Sequence, residues 1–341
     1  MLTPHSLRLA CSAIVALAAL AVATPLHADV LLFEGGIFGF GLERYDNAGA
    51  LVRRYGNTST AFEESFDHFV LSDDKKTFYV LSNSLGFTNI YPFHFPSGVY
   101  AGPNNGFEDY SPFDTAQIGD FSAENAVIQG HHAVIHNGFS PYLTVVSNKD
   151  FSGGQPNFAS LKYFDLASGD FLGSEPFPVG MSILDYAAND SLDFTLTNTG
   201  IYRSVGTQKI INNVPGDSAI IIGPDNRLYV SNGATREVRR YNPNGTLVDA
   251  FLTSIELDMV PQSLQFGPEG DLYVLGTDAT GNSTLVKRFD GTTSNFVSTN
   301  LIDVFNLGEF NSRFYILVPE PAAYALAAVA LVGVNLYRRR R

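Results

Sequence analysis

Three histidines crowd one short stretch, "GHHAVIHNG": His131, His132 and His136. Imidazoles at this spacing could gather a transition metal, with a carboxylate such as Glu124 completing the ligand set. A β-strand works against that grouping, because successive side chains leave it on opposite faces. Strict alternation separates His131 from His132 and leaves at most two imidazoles together. A second candidate is Glu34 in "LLFEGG", an acidic residue that flanks a turn at the end of an early strand. The acidic pairs and single residues in other turns, Asp73-Asp74 and Asp225, read as turn formers whose side chains bond nearby backbone.

Beyond these, the chain lacks the signatures that announce a reaction. It has no G-x-S-x-G nucleophile elbow, no H-E-x-x-H zinc helix, no phosphate-binding P-loop and no EF-hand loop. The glycines of "GGIFGFG" miss dinucleotide-binding spacing and open no helix. Catalytic residues are therefore not assigned from sequence.

The elements that would position any site are short strands. The 341 residues include 31 Gly, 17 Pro, 27 Phe and 16 Tyr but no Trp, a composition of strands joined by tight turns. Two segments repeat with a shift of 44 residues: "GPDNRLYVSNGATREVRRYNPNGTLVDAF" from Gly223 and "GPEGDLYVLGTDATGNSTLVKRFDGTTSNFV" from Gly267. Each opens on a Gly-Pro turn, runs through a strand at Leu228–Val230 or Leu272–Val274, and reaches a basic-aromatic-polar triplet. The triplets are Arg240-Tyr241-Asn242 and Arg288-Phe289-Asp290; an outer strand over 246–251 follows in the first copy.

Fainter copies begin at Ser72, Tyr142 and Asp190, and the later half of the unit recurs from Glu43 and Lys162. A period of 40–50 residues with four strands per unit is the pattern of a β-propeller. Strand positions near Phe33, Tyr79, Val145, Phe194, Tyr229 and Tyr273 give six blades, with seven as the alternative count. A β-sandwich or solenoid is the competing all-β architecture. The strand containing Tyr315 should return to the N-terminal blade and close the ring, removing exposed strand edges. The stretch Pro103–Asn137 fits no copy and is expected to be a long loop or a decorated blade.

The "FGPEGDLYV…VKRFDGTT" pattern resembles the NHL-like and lactonase-like propeller repeats of exported bacterial proteins, chiefly over Ser218–Asn300. That resemblance implies a fold and leaves activity open, since the architecture carries hydrolases, lyases and binding modules. Glu34 resembles the first metal-ligand glutamate of gluconolactonase-type propellers. Carried over, it would bind a divalent cation such as calcium at the central channel, with Asp193 and Asn232 as companions.

Both ends of the chain carry addresses. Arg8, the apolar run Leu9–Ala23 and the small residue Ala28 form a secretory signal peptide over residues 1–28, cleaved after Ala28. The single cysteine, Cys11, would leave with it. At the other end, Val318-Pro319-Glu320-Pro321, an apolar segment over 322–337 and the cluster Arg338, Arg339, Arg340 and Arg341 resemble the PEP-CTERM sorting signal of residues 318–341.

In that family an exosortase cleaves at the motif and passes the protein to the cell surface or extracellular matrix. The resemblance implies a Gram-negative, biofilm-forming source. It also implies an inner-membrane precursor, with exopolysaccharide or matrix proteins as later partners. Sixteen apolar residues span about 24 Å as a helix, short of the roughly 30 Å hydrocarbon core. Flanking arginines and local thinning can cover the difference, and the cluster stays cytoplasmic by the positive-inside bias.

The whole chain has a formal charge of −13. Residues 29–318 keep 16 of 21 basic and 33 of 34 acidic residues, a net charge of −17. An acidic propeller domain over 29–317 excludes nucleic acid as a partner and attracts cations. The function read from sequence is an exported, non-enzymatic binding or structural module, with a metal-dependent hydrolase, lactonase or lyase as the alternative.

Overall fold

The computed structural model describes residues 29–317, apart from 37–38, 47, 58–64, 72–76, 85–86, 95–127, 137–140, 151–158, 167–169, 179, 190, 204–207, 282 and 306–311. The signal peptide, the Val318–Pro321 motif, the apolar segment 322–337 and the arginine cluster lie outside these residues. Among the described residues no helix is long and apolar enough to cross a membrane.

The described chain is all-β and β-propeller-like. The first sheet contains β1 (Asp29–Gly36), β2 (Gly39–Tyr45) and β3 (Leu51–Asn57), in the order β23-β1-β2-β3 with β23 (Ser312–Leu317). The second is three-stranded: β4 (Ser65–Leu71), β5 (Thr77–Ser84) and β6 (Phe87–His94). The third holds β7 (Ile128–His136), β8 (Tyr142–Asp150), β9 (Ser160–Asp165) and β10 (Phe171–Pro176). The fourth holds β11 (Ile183–Ala188), β12 (Asp193–Thr197), β13 (Gly200–Arg203) and β14 (Gln208–Asn212).

The fifth sheet holds β15 (Asp217–Ile222), β16 (Leu228–Asn232), β17 (Glu237–Tyr241) and β18 (Leu247–Leu252). The sixth holds β19 (Val260–Phe266), β20 (Leu272–Thr277), β21 (Ser283–Phe289) and β22 (Phe296–Phe305). Between the last two sheets lies one helical turn, α1 (Ser254–Leu257).

The sheets follow one another in a closed cycle. Apolar clusters fill the gaps from the second sheet to the third, third to fourth, fourth to fifth, fifth to sixth and sixth back to the first. The strands β1 and β4 bring the first sheet against the second. Each sheet therefore buries both faces, which explains why the strands read as apolar runs with aromatics. Among the described residues, closure comes from β23, which pairs antiparallel with β1 from Asp29↔Leu317 to Glu34↔Ser312. Tyr315 lies opposite Leu31 in that ladder, on the closing strand expected from sequence.

The two clean repeats share more than a pattern. In the fifth sheet, the Tyr229 hydroxyl donates to Asp225 of the Gly-Pro turn at 3.3 Å, and Arg240 lies 6.0 Å from the Tyr229 ring centre. In the sixth, Tyr273 donates to Glu269 at 2.5 Å and Arg288 lies 5.6 Å from the Tyr273 ring centre. Each arginine also pairs with a carboxylate, Arg240 with Asp249 at 2.6 Å and Arg288 with Asp271 at 2.7 Å. One stacked aromatic-guanidinium-carboxylate unit thus ties the turn to the strands of each copy.

Two expectations change. Within Pro103–Asn137 the segment Ile128–His136 is a strand, β7, leading the third sheet. Its pattern is hard to read because His131 is an extra residue between the pairs Gly130↔Ser147 and His132↔Val146. The second change is at the outer strand expected over 246–251, which spans Leu247–Leu252.

Candidate functional site

The bulge at His131 has counterparts around the ring. One extra residue interrupts the leading strand at Asp67, Leu184, Ser218 and Gln262, each beside the last or next-to-last pair of its ladder with the second strand. Bulges of this kind bend a strand and re-aim its side chains. On the leading strands they recur at one end of the ring.

The register assigns each sequence candidate to an end. Asn232 closes β16 opposite Asp217, and Glu34 holds the matching end of β1 opposite Ser312. His131 and His132 belong to this bulged end as well, and strict alternation does not hold between them because His131 is the bulge. His136 pairs with Tyr142 at the other end of its ladder. The side chains of Glu34, His131, His132 and His136 lie outside the described residues.

Asp193 is at the wrong end for the company proposed for it. It opens β12 opposite Ala188, whereas Thr197 occupies the position in β12 that Asn232 occupies in β16. Four strand residues separate those positions, about 13 Å. Glu34, Asp193 and Asn232 therefore do not form one cation site. Glu34 and Asn232 share an end of the ring, and Asp193 does not.

Asn232 is itself fully engaged. Its amide nitrogen donates to Asp217 at 2.8 Å and to the Pro215 carbonyl at 3.0 Å. Its carbonyl accepts from the backbone N–H of Thr235 at 2.8 Å and from the Thr235 hydroxyl at 3.0 Å. A cation reaching Asn232 would have to displace Thr235 from the same oxygen. No group of three or more His, Cys, Asp or Glu side chains among the described residues is disposed to hold a metal.

Sequence reasoning passed over the buried carboxylates beside these candidates. Asp217 is buried, and that burial raises its pKa above the ordinary range, although the Asn232 hydrogen bond and the Arg239 charge pull the other way. Arg239 lies 3.9 Å from Asp217 and donates to Glu237 at 2.7 Å. Asp185, also buried, accepts from the backbone N–H of Ile220 in the next sheet at 2.8 Å and from the N–H of Tyr186 at 3.0 Å. A carboxylate inside an apolar run, as in "SILDYAA", is the sequence signal that could have marked Asp185.

Lys287 is the buried cation of the sixth sheet. Its ammonium donates to the carbonyls of Leu257 at 2.8 Å and Asp258 at 3.3 Å, capping the end of α1. Burial lowers its pKa. Taken together, these buried polar groups join turns, strands and neighbouring sheets, and none of them forms a nucleophile–base pair.

No family model and no curated protein matches the chain. Several solved structures are similar in part. The extracellular domain of a hybrid two-component system protein from B. thetaiotaomicron shares 13% identity over 71% of this chain, with a TM-score of 0.41; the chain spans only 28% of that protein's length. A luciferin-regenerating enzyme shares 12% identity over 81% of this chain and 84% of its own, with a TM-score of 0.43. A protein of unknown function from Bacteroides caccae shares 13% identity over 82% of this chain and 73% of its own, at 0.31. Likeness at this level carries no argument about activity; the fold rests on the sheets themselves.

Proposed function

We propose that this chain is an exported six-bladed β-propeller that works as a binding or structural module at the cell surface or in the extracellular matrix. In this reading residues 1–28 export it, and residues 318–341 hold it at the inner membrane. An exosortase then acts at Val318-Pro319-Glu320-Pro321, and the acidic ring is left to associate with exopolysaccharide or other matrix proteins.

One observation carries the reading. The ring begins at Asp29 and ends at Leu317, and these two residues are partners in the closing ladder. A self-contained ring fills the interval between the two sequence addresses, so removal of both would take none of the described strands from it. The engaged state of Asn232 and the structural use of Asp185 and Asp217 favour a binding module over a channel-metal enzyme.

The test is a block substitution, Pro319-Glu320-Pro321 to three alanines, in a host carrying an exosortase. The unaltered protein should leave the membrane fraction while the variant accumulates there as precursor. Equal release of both would overturn the sorting part of the reading.

A further inference from the structure

The gap between the third and fourth sheets differs from its neighbours in what lines it. On β8, Tyr142 and Thr144 lie two residues apart, and Thr144 pairs with Tyr163 of β9. Glu175 of β10 pairs with Leu161, two residues before Tyr163. Period-two alternation therefore puts Tyr142, Thr144, Tyr163 and Glu175 on one face of the third sheet. In the fourth sheet Tyr186 pairs with Thr195 and Ala188 with Asp193, which sets these four on one face.

The two faces meet. Val146 and Leu161 share an apolar cluster with Ile183 and Tyr186, and Tyr163 and Ala188 pack against it. The rings of Tyr142 and Tyr163 touch edge to face at 5.9 Å, and Tyr163 donates to Glu175 at 3.1 Å. By contrast, the cluster between the fifth and sixth sheets holds one tyrosine, Tyr229, among Ala, Leu, Val, Phe and Met side chains.

Two independent features mark this gap as unfinished. The hydroxyls of Thr144 and Thr195 are fully buried, and neither has a hydrogen-bond partner. Buried hydroxyls are ordinarily paired, so each is a group awaiting one. Glu175, meanwhile, lies beside all three tyrosines and Asp193 beside Tyr142 and Tyr186. Neither enters an ion pair seen among the described residues. Burial, reinforced by their negative field, raises the pKa of Tyr142 and Tyr186, which keeps the phenols neutral.

We propose that the edge of this gap, where Tyr142, Tyr163, Glu175, Tyr186 and Asp193 surround the buried Thr144 and Thr195 hydroxyls, binds a protonated amine. Tyrosine faces attract a cation through their ring quadrupoles, and the Glu175 and Asp193 carboxylates supply its counter-charge. The threonine hydroxyls accept hydrogen bonds from the ammonium or from hydroxyls beside it. An amino sugar of a surface polysaccharide and a simple alkylamine offer the same ammonium chemistry. The assignment builds on the binding-module reading but does not depend on membrane sorting, so each can fail alone.

The test is calorimetric titration of the full chain with glucosamine, ethylamine, glucose and N-acetylglucosamine. Both amines are expected to bind, and the two uncharged sugars about tenfold or more weakly, in line with loss of a charge-assisted contact. Glucosamine binding well ahead of ethylamine would identify a hydroxylated amine as the source; parity would identify the ammonium alone. Asp193→Asn and Glu175→Gln, half-buried and exposed respectively, should each weaken amine binding about tenfold with an unchanged melting temperature. Equal binding of charged and uncharged sugars would overturn the proposal. So would the absence of binding at about 10 mM amine, or binding unaffected by either substitution.

Discussion

The carboxylate of Asp185 in β11 accepts the backbone N–H of Ile220 in β15 at 2.8 Å, a hydrogen bond that passes from one sheet to the next. Most of the contact between these sheets is apolar, supplied by Ala187, Phe194, Leu196, Ile220 and Val230. Apolar packing is non-directional, so this bond fixes how the leading strands sit against each other. It also satisfies the Ile220 N–H beside the one-residue bulge at Ser218. Asp185→Ala strands that donor and should lower unfolding stability by about 1–3 kcal/mol. Asp185→Asn, which keeps an acceptor oxygen, should lower it by less. Urea unfolding of the two variants separates these outcomes; equal and negligible losses would remove the link from the account.

The repeated aromatic-guanidinium unit gives a second expectation. Tyr273→Phe removes only the donation to Glu269 and should lower stability by about 0.5–1.5 kcal/mol. Tyr229→Phe removes the longer bond to Asp225 and should cost less. The two side chains belong to separate sheets, so the double variant should lose nearly the sum in denaturant melts.

Asp217 predicts a pH effect of definite sign. Burial raises its folded-state pKa above the unfolded value, so the folded state favours the protonated form. The corresponding stability is present below the ordinary aspartate pKa and is lost as pH rises through the raised value. Relative to Asp217→Asn, the unaltered protein should therefore become more stable as pH is lowered from 7 towards 4. Denaturation midpoints across that range check the sign, and a constant difference would contradict it.

Gly276 tests the bulged end of the sixth sheet. A Cβ there would sit 2.1 Å from the Val260 carbonyl oxygen and 2.7 Å from Met259 Cε. Backbone on the adjacent strand cannot yield as a flexible side chain does. Gly276→Ala should lower stability by about 1–3 kcal/mol in thermal or urea unfolding. Gly270→Ser meets open space, so its loss, about 1–2 kcal/mol, should come from the left-handed φ of +86° alone.

How much of this could be read from the chain alone follows from which interactions are local. Phe33, Tyr79, Val145, Phe194, Tyr229 and Tyr273 all fall on the second strand of a sheet. Their positions repeat because second strands are buried on both faces, as β1, β8, β12, β16 and β20 are among the described residues, and that demand shows in sequence. The closing strand was legible because Tyr315 follows Tyr273 at the repeat spacing, 42 residues on. β7 was hidden because His131 breaks its period of two. The partner of Asp185 lies 35 residues away, and the tyrosine-lined gap assembles from five strands. Such juxtapositions arise from the ring geometry and leave no spacing to read. The candidate trio Glu34, Asp193 and Asn232 divided for that reason: sequence identified strands, while register decided which end each residue occupies.

The central claim is that a closed ring over 29–317 is the working molecule, delivered and then released from its two terminal addresses. Intact mass spectrometry of the protein recovered from outside its native cells tests this most directly. The account predicts a chain that begins at Asp29 and stops within Val318–Pro321, without Arg338–Arg341. An extracellular chain that keeps Met1 or retains the arginine cluster would contradict it.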